Sequence, residues 1–267
     1  NQINFIDFEC KIFLEPISKN TAPSITLGCL SLDKDDIVLV LSSDHLIADK
    51  NIFQKQIKIA YKYAQDNKIV VFGVKPNGPN INYGYINVED KNELGFGVKS
   101  FKEKPNLNLA NKYYQDPNYF WNSGIFLFKV STFLDEMTSF SPDIMMACLK
   151  IHKTSKKDLG FYRFQTKVFS ECPENSIDYS IMEQTEKAIM IPLQTSWSDL
   201  GSWHALMSVH EKDENGNVLV GNVISHKSEN SMFYNLEDKL IVANGIKDLT
   251  VVETKDALLV SNSKDNE

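Results

Sequence analysis

Two apolar, β-branched runs separated by an amphipathic segment constrain the fold of this chain more than any other feature. Residues 36–41 (Asp-Ile-Val-Leu-Val-Leu) and 69–74 (Ile-Val-Val-Phe-Gly-Val) are each typical of a strand buried on both faces. Between them, apolar residues recur at helical spacing from Phe53 to Ala64. A strand, a helix and a second strand in this order predict a β-α-β unit, which requires a parallel sheet and a right-handed crossover.

Composition limits both the size of the domains and the class of partner. The 267 residues, 42% hydrophobic and 24% charged, can bury the core of one large domain and one small domain. A net charge of -7 argues against a nucleic-acid surface, so we expect no nucleic-acid partner. No apolar run approaches the roughly 18 residues of a membrane span, so we expect no membrane partner. Arg163 is the one arginine, so a phosphate site here must use lysine.

The cysteines do not predict a metal site. Cys10, Cys29, Cys148 and Cys172 form neither a C-x-x-C pair nor a zinc-binding spacing. We expect buried free thiols in a reducing compartment, which predicts a cytoplasmic protein.

A charged, glycine-containing segment at 211–216 marks a change in composition. Beyond it, short strand-like runs alternate with turn residues about every 8 to 12 positions, a spacing typical of β-rich domains. We therefore divide the chain into an α/β domain at 1–210 and a small β-rich domain at 211–267. The second domain is expected to pack on the first or on a partner rather than to hold chemistry.

Two acids follow predicted buried strands. Asp44 comes after the 36–41 run, and Asp199 lies in the polar turn after the strand predicted at Ile189–Leu193. In open α/β sheets the ends of strands face the ligand crevice, where a carboxylate is suited to hold a divalent metal. The alternative is that Asp199 or Ser198 caps a helix from Ser202 to His210.

A predicted helix start follows the first strand-like run. Asn20 or Thr21 is a suitable cap, with Pro23 in the first turn. Exposed backbone donors at that helix start are suited to read a purine edge. A capped helix with no ligand is the ordinary alternative.

The segment around residues 84–105 contains candidate ligand groups. Gly84 lies inside a strand pattern, which suggests a bulge or a group packed against bare backbone, for which a sugar ring is one candidate. Alternation over Val98–Pro105 predicts a strand in which Glu103 and Lys104 point in opposite directions, because Pro105 forces Lys104 into an extended conformation. Both then reach one ligand only across a twist or bulge. A solvated ion pair is the alternative.

Two further polar residues precede apolar segments. Asn122 lies in a polar turn before a buried strand, where its amide is suited to bind hydroxyl groups. Asp178 lies at the start of a helix that Ser176 is expected to cap. Its carboxylate either faces a cleft or only favours the helix N-terminus.

Taken together in chain order, these motifs resemble the bacterial mannose-1-phosphate guanylyltransferases. The motifs that carry the resemblance span nearly the whole chain and are Glu15-Pro16 with Asn20-Thr21-Ala22-Pro23, Ser43-Asp44-His45, Tyr83-Gly84-Tyr85-Ile86, Phe101 with Glu103-Lys104-Pro105, Trp121-Asn122-Ser123-Gly124, Ser176-Ile177-Asp178-Tyr179 and the run from Trp197 to Trp203. No single motif is decisive, but seven in this order are specific.

The resemblance implies a Rossmann-like α/β nucleotidyltransferase, with a mixed, mostly parallel sheet and helices on both faces, followed by a small β-rich domain. It implies synthesis of GDP-mannose and pyrophosphate from GTP and mannose 1-phosphate, for polysaccharide and lipopolysaccharide biosynthesis, with a homodimer as the candidate assembly. Its implied site residues are Asp44 and Asp199 for Mg²⁺, Lys104 for the sugar phosphate, Gly84, Glu103, Asn122 and Asp178 for the sugar, and Glu15, Asn20, Thr21, Ala22 and Pro23 for the nucleotide.

Two departures from the family pattern affect the nucleotide side. The family's glycine-rich G-x-G-x-R loop would precede Asn1, and we expect the natural protein to contain it. Lys19 stands where the family has arginine before Asn-Thr-Ala-Pro, which keeps the charge but not the bidentate fork. Some members also carry a C-terminal mannose-6-phosphate isomerase half.

Three other functions stay open at this point. A pyrophosphorylase for another sugar or base would share the metal aspartates. A metal-dependent glycosyltransferase would transfer sugar to an acceptor without making pyrophosphate. A non-catalytic nucleotide-sugar sensor would bind without turnover.

Overall fold

A computed structural model of the protein describes residues 10–92 and 94–263, which fall into two compact units. The first lies within 10–42 and 49–195, and the second within 43–48 and 196–263. These bounds differ from the division at 210/211 because the short helix after Ser202 packs on the β-rich region and a segment around Asp44 pairs with residues 197–198.

The first unit is built on a six-stranded sheet with a separate three-stranded sheet. Its strands are β1 (Ile12–Leu14), β2 (Ile37–Val40), β4 (Ile69–Val74), β5 (Tyr85–Asn92), β6 (Gly95–Lys102), β7 (Tyr119–Lys129), β8 (Lys156–Asp158), β9 (Phe161–Arg163) and β10 (Ala188–Pro192). Its helices are α1 (Thr21–Cys29), α2 (Lys50–Gln65), α3 (Leu107–Gln115), α4 (Val130–Phe140), α5 (Pro142–Lys153) and α6 (Thr166–Ser170), with a π-helical turn at Asp178–Met182.

The large sheet is mixed, as predicted, with the order β2-β7-β4-β10-β6-β5. The prediction that it is mostly parallel is wrong for its hydrogen-bonded pairs, because only β4 and β10 pair in parallel. The predicted β-α-β unit of β2, α2 and β4 is present, but β7 lies between its two strands and runs antiparallel to both. Short-range patterning could not reveal this insertion, because β7 comes from much later in the chain.

Helices cover both faces of this sheet, as predicted. On one face, Phe53 of α2 meets Phe72 of β4 edge-on, with ring centroids 5.6 Å apart. On the other face, Phe133 of α4 stacks on Phe128 of β7 at 4.6 Å, within the main core. The period-two alternation of a strand places neighbouring residues on opposite faces, so β4 contributes Val71 to the main core while Phe72 contacts α2. Buried aromatic pairs of this kind hold both layers to the sheet.

The second unit is β-rich, as predicted, and its strands wind as a short parallel coil. The strands of the unit are β3 (Leu46–Ile47), β11 (Trp197–Ser198), β12 (Val218–Val220), β13 (Val223–His226), β14 (Met232–Asn235), β15 (Ile241–Asn244), β16 (Leu249–Glu253) and β17 (Leu258–Asn262), and its helix is α7 (Trp203–Val209). β12, β14 and β16 pair in parallel, and so do β13 and β15. Ser228, Glu229 and Ser231 each bond a residue 18 positions further along, which marks successive turns of the coil.

Helix α7 covers one end of that coil. Its Met207 packs with Val218 and Met232 in a small apolar core, and Trp203 packs against the same core. The hydroxyl of Ser202 caps α7 by accepting the backbone N–H of Ala205 at 3.1 Å. Neither Ser198 nor Asp199 therefore caps this helix, so the alternative for Asp199 is wrong. Among the described helices, none is both long and apolar enough to cross a membrane.

Candidate functional site

Asn122 is fixed at a bulge in β7 and directs its amide at a carboxylate. The pairing of β4 with β7 shifts register between Val71 and Gly73, and Gly124 takes a φ of +70° in the same stretch. The Oδ1 atom of Asn122 accepts the N–H of Gly124 at 3.0 Å, while its Nδ2 atom donates to Asp178 Oδ1 at 2.9 Å. Two residues 56 positions apart in sequence are thus held together.

Gly84 and Glu103 fit against each other beside Asn122. The carbonyl of Gly84 accepts the N–H of Asn122 at 2.8 Å. A β-carbon at position 84 would collide with Oε2 of Glu103 and would lie 3.2 Å from Cβ of Asn122. The inference that something packs against bare backbone at Gly84 is therefore confirmed, and the group that packs there is a carboxylate of the chain itself.

The Glu103 carboxylate is buried and only partly satisfied. Its side chain is 11% exposed, and Nζ of Lys104 lies 3.7 Å from its Oε1 atom. Its Oε2 atom finds no hydrogen-bond donor among the described residues. Buried polar atoms without partners are uncommon and are typical of sites that bind a ligand. Lys104, by contrast, is 60% exposed at its side chain, so its ammonium group is open to an anion.

Lys104 departs from the conformation that its sequence predicts. Its φ is +43°, a left-handed value, so the expectation of an extended Lys104 is wrong. Strand β6 also ends at Lys102, before the predicted alternation finishes. This tight turn replaces the strand, so Glu103 and Lys104 approach each other instead of pointing to opposite faces. The twist that both side chains need in order to reach one ligand is present.

The acids of this cluster have pKa values above those of exposed carboxyl groups. Burial raises the pKa of Glu103 to about 7, with the negative charge of Asp178 adding to the shift and Lys104 opposing it. Burial likewise raises the pKa of Asp178, against hydrogen bonds from Ser176 and Asn122 that lower it. Near neutral pH, Glu103 can therefore donate or accept a hydrogen bond, which suits it to sugar hydroxyl groups.

The segment just before Asp178 is hydrogen-bonded to the start of α1. Asp178 begins the π-helical turn that follows residues 175–177. In that preceding segment, the N–H of Ile177 donates to Thr21 Oγ1 at 2.9 Å, and the carbonyl of Asn175 accepts the N–H of Ala22 at 3.1 Å. The prediction of a helix capped by Ser176 holds only in part, because the turn is π-helical and the Ser176 hydroxyl accepts the N–H of Tyr179 at 3.4 Å.

The start of α1 is capped as predicted, but its first backbone donors are already used. Asn20 is the N-cap, and its side chain accepts the N–H of Thr21 at 2.8 Å. The N–H of Ala22 bonds the carbonyl of Asn175, and Pro23 has no N–H to offer. The expectation of exposed donors for a purine edge is therefore wrong for these positions. Ala22 and Pro23 are also buried, whereas Asn20 and Thr21 are exposed.

Glu15 lies beside the same helix start. Its Oε1 accepts the hydroxyl of Ser24 at 2.5 Å, and that hydroxyl also lies 3.0 Å from the carbonyl of Asn20. The exposed groups of Glu15, Asn20 and Thr21 thus form one polar surface at the α1 N-terminus.

Asp44 and Asp199 both lie in the second unit, at the end of a two-stranded ribbon. Ser198, the last residue of β11, pairs with Leu46, the first residue of β3. Asp199 directly follows this pair, and Asp44 precedes it by two residues. The ring of His45 meets Trp197 edge-on at 5.3 Å. Because the two strands are antiparallel, both aspartates lie beyond the same end of the ribbon although they are far apart in the sequence.

The turn after Ser198 orients Asp199. Leu200 takes a φ of +52°, and its N–H donates to the Ser198 hydroxyl at 3.1 Å. Asp199 Oδ1 accepts the N–H of Gly201 at 3.1 Å. In the part of the chain that the structure describes, no group of three or more His, Cys, Asp or Glu side chains is placed to hold a metal. Two carboxylates nonetheless match the usual protein share of a Mg²⁺ site, in which substrate phosphates and waters supply the other ligands.

The structure thus brings together Gly84, Glu103, Lys104, Asn122 and Asp178 in the first unit. In the second unit it places Asp44 and Asp199 at the same end of the β3–β11 ribbon. Sequence reasoning missed Glu183, whose carboxylate contacts the backbone of Glu103. Its only signal was its place shortly after Asp178, which also fits an ordinary helical acid.

Comparison with known proteins shows the family of this chain. The nucleotidyl transferase family model matches residues 2–216. A protein of Salmonella montevideo described as mannose-1-phosphate guanylyltransferase is 44% identical over 260 residues, covering 94% of this chain and 55% of its own length. One of the same description from Escherichia coli (strain K12) is 42% identical over 261 residues, covering 94% and 54%. The chain spans about half the length of these curated relatives.

Two crystal structures resemble the fold. One from Thermus thermophilus, described as mannose-1-phosphate geranyltransferase, has a TM-score of 0.83 and 26% identity, covering 94% of this chain and 73% of its own. One from Helicobacter pylori, described as mannose-6-phosphate isomerase, has a TM-score of 0.70 and 33% identity, covering 74% and 78%. Since the nucleotidyl transferase family model matches most of the length of this chain, the chain belongs to that family.

Proposed function

We propose that this chain is the nucleotidyltransferase part of an enzyme that makes GDP-mannose and pyrophosphate from GTP and mannose 1-phosphate. The observation that carries the proposal is the cluster of Gly84, Glu103, Lys104, Asn122 and Asp178, which combines hydrogen-bonding groups with one exposed cation. Relatives at 42–44% identity are described as mannose-1-phosphate guanylyltransferases, which supports this choice of substrates.

In this proposal the cluster holds mannose 1-phosphate. Glu103 and Asn122 bind sugar hydroxyl groups, Asp178 orients the Asn122 amide, and the bare backbone of Gly84 leaves room for them. Lys104 binds the phosphate as a mobile point charge, which fits a chain with one arginine. Leaving a buried carboxyl oxygen without a hydrogen bond costs free energy in the ligand-free protein. A sugar hydroxyl group that donates to Oε2 of Glu103 would remove that cost.

The nucleotide is assigned to the surface at the start of α1. Glu15, Asn20 and Thr21 are exposed there, so their side chains are the groups that contact guanine. Ala22 and Pro23 are buried and shape the surface from beneath. Because the first backbone donors of α1 bond within the chain, recognition of the base falls to side chains.

Asp44 and Asp199 are proposed to hold Mg²⁺. Hard carboxylate oxygens suit this ion, and both residues lie beyond the same end of the β3–β11 ribbon. When bound, the ion would neutralise phosphate charge as the pyrophosphate leaves.

In this reaction the protein mainly has to align two anions, GTP and mannose 1-phosphate. A phosphate oxygen of mannose 1-phosphate attacks the α-phosphorus of GTP in line, the bond to the β-phosphate oxygen breaks, and pyrophosphate leaves with the electron pair. Most of the acceleration in such a reaction comes from positioning and from neutralising charge. Lys104 is placed to do both for the sugar phosphate.

We further propose that the enzyme is cytoplasmic, acts as a homodimer and supplies GDP-mannose for polysaccharide and lipopolysaccharide biosynthesis. The free thiols of Cys29, Cys148 and Cys172, all buried, are consistent with a reducing compartment. The assembly is tested by sedimentation at several concentrations.

The test uses the full-length natural protein with GTP, mannose 1-phosphate and Mg²⁺, with pyrophosphate release as the measurement. We expect turnover that falls sharply when glucose 1-phosphate replaces the sugar or when UTP or ATP replaces the nucleotide. Preference for another pair would identify a different pyrophosphorylase. Sugar transfer to an acceptor without pyrophosphate would indicate a glycosyltransferase, and binding without turnover a sensor.

A further inference from the structure

The carboxylate of Glu183 supports the backbone that leads into Lys104. Its Oε1 atom accepts the N–H of Glu103 at 3.0 Å and lies 3.2 Å from Nζ of Lys102. Glu183 follows the π-helical turn directly, and its own N–H donates to the carbonyl of Asp178 at 2.9 Å. One short turn therefore supplies both the acid that bonds Asn122 and the acid that holds Glu103.

The position that follows this support is strained. A left-handed φ is sparsely populated for lysine and persists only where neighbouring contacts determine it. The hydrogen bond from Glu103 to Glu183 fixes the peptide immediately before Lys104, and Pro105 fixes the residue immediately after it. Without Glu183, the segment is free to extend as the alternating sequence predicts, which would carry Glu103 and Lys104 to opposite faces.

We propose that Glu183 is a positioning residue for the sugar-phosphate side of the reaction, fixing the turn at 102–104 so that Glu103 and Lys104 face the same ligand. This inference rests on the proposed function only for the identity of that ligand. The hydrogen bond and the turn belong to the ligand-free protein and can be tested in it.

The charge of Glu183 makes its closeness to the Glu103 carboxyl measurable in the ligand-free protein. Burial, Asp178 and Glu183 all raise the pKa of Glu103, while Lys104 lowers it. Removing the charge at 183 therefore lowers the pKa of Glu103. Glutamine at this position keeps an oxygen that can accept the Glu103 N–H, so Glu183→Gln separates the charge from the hydrogen bond, whereas Glu183→Ala removes both.

The first measurement titrates the Glu103 carboxyl carbon by NMR in the ligand-free chain, assigned by its loss in Glu103→Gln. We expect a lower pKa in Glu183→Gln and Glu183→Ala. The matched control is Glu186→Gln, which removes the same charge from an exposed position nearby in the chain and should leave the titration unchanged. The pKa should fall further in Glu183→Ala than in Glu183→Gln, because loss of the hydrogen bond lets the turn open and exposes the Glu103 carboxyl to water. The same Glu103 titration in both variants would overturn the inference, and Glu183→Leu, which also lacks the acceptor, replaces the alanine variant if that variant does not fold.

The second measurement uses the full-length enzyme. Glu183→Ala should raise the KM for mannose 1-phosphate by about tenfold with little change for GTP, and Glu183→Gln by much less. Lys102→Met removes only the ion pair and should stay near the parent. Equal losses for both substrates, or no loss, would contradict positioning. If the Glu103 titration shifts as expected but the enzyme ignores mannose 1-phosphate, the proposed function fails while the role of Glu183 stands. If the enzyme makes GDP-mannose but the Glu103 titration does not shift as expected, the proposed function stands and the role of Glu183 fails.

Discussion

The carboxylate of Glu103 occupies the space that a side chain on Gly84 would need. Both residues lie at the open end of the β5–β6 hairpin, because Gly84 comes just before β5 and Glu103 just after β6. Cβ of Asn122 and Cζ of Phe101 lie 3.2 Å from the same point, so the space is closed on its other sides. Position 84 therefore controls where the Glu103 carboxylate lies.

Gly84→Ala should impair use of the sugar phosphate selectively. The added methyl group must displace Glu103, because Asn122 and Phe101 leave it no other room. We expect the KM for mannose 1-phosphate to rise about tenfold or more, equivalent to about 1.4 kcal/mol, with the KM for GTP nearly unchanged. Steady-state kinetics on the full-length enzyme measure both constants.

The matched control is Gly78→Ala, since a β-carbon at position 78 would meet nothing within 4 Å. It should behave as the parent. Parental kinetics in Gly84→Ala would show that displacement of Glu103 does not matter to the ligand.

The raised pKa of Glu103 should make folding stability depend on pH. Its carboxyl titrates near 7 in the folded protein and near its usual 4.5 in the unfolded chain. The folded state therefore holds its proton more tightly, so this contribution to stability is complete below pH 4.5 and is lost as pH rises to 7. At about 1.4 kcal/mol for each pKa unit, the upper limit of this loss is about 3.5 kcal/mol, and we expect less because water partly screens the carboxyl.

Urea unfolding at three pH values, one below, one within and one above this window, measures the effect by comparison with Glu103→Gln, which cannot ionise. As pH rises, the free energy of unfolding of Glu103→Gln should increase relative to that of the parent. This difference should become constant above the pKa of the folded state. Glu186→Gln is the exposed control. Parallel pH profiles for parent and Glu103→Gln would contradict the assigned pKa.

Asp44→Asn and Asp199→Asn should each remove most turnover while the fold stays intact. Both residues are proposed to hold one Mg²⁺, so losing either carboxylate weakens the same ion. Activity across a range of Mg²⁺ concentrations, with circular dichroism to check folding, measures the effect. The double variant should lose little more than either single one, as parts of one device do.

Asp135→Asn on the exposed side of α4 is a matched charge control for the metal pair. It should retain parental activity. Full activity of Asp44→Asn or Asp199→Asn at ordinary Mg²⁺ would remove that residue from the metal site.

Lys104→Ala should distinguish a phosphate ligand from half of a surface ion pair. An exposed pair contributes roughly 0 to 1 kcal/mol, so its loss would change little. A charge-assisted phosphate contact contributes about 1.5 to 3 kcal/mol, so we expect use of mannose 1-phosphate to weaken about tenfold or more while GTP is barely affected. The apparent constants for both substrates in the full-length enzyme measure this.

Lys104→Arg keeps the charge and should recover activity only as far as the pocket accepts the larger guanidinium. Lys99→Ala removes an exposed lysine from the same hairpin and should have no effect. A similar loss for GTP and mannose 1-phosphate in Lys104→Ala would show that Lys104 does not read the sugar phosphate.

The strands with continuous apolar runs were predictable, whereas their order was not. β2, β4 and β10 are recognisable by β-branched residues that favour a buried strand. β4 and β10 are buried, but the prediction that β2 is buried on both faces is wrong, because β2 is an edge strand and is only half-buried. The place of β7 between β2 and β4 depends on pairing between residues that are far apart in the sequence, and local periodicity contains no information on such contacts.

The site shows the same contrast at the level of single residues. A glycine within a strand pattern requires a reason, and this made Gly84 recognisable. Lys104 was mispredicted because the rule for a residue before proline favours extended backbone, and here a hydrogen bond from the preceding peptide to Glu183 accompanies a left-handed turn instead. Glu183 could not be found from sequence because its contact is to a backbone N–H whose position only the folded turn defines.

If the base and the sugar bind where we propose, the bonds from residues 175–177 to the start of α1 connect their two sites directly. Thr21 accepts from Ile177, and Asp178, the next residue, bonds Asn122. A nucleotide that shifts Thr21 would therefore also shift Ile177 and, through the next peptide, Asp178. Asp178 in turn bonds the Asn122 amide that we assign to the sugar. Any such coupling must be reciprocal, so mannose 1-phosphate would change the affinity for GTP by the same factor that GTP changes the affinity for mannose 1-phosphate. In the proposed function, Thr21 would contact the base through its exposed surface, and its bond to Ile177 would connect that contact to the sugar-binding cluster.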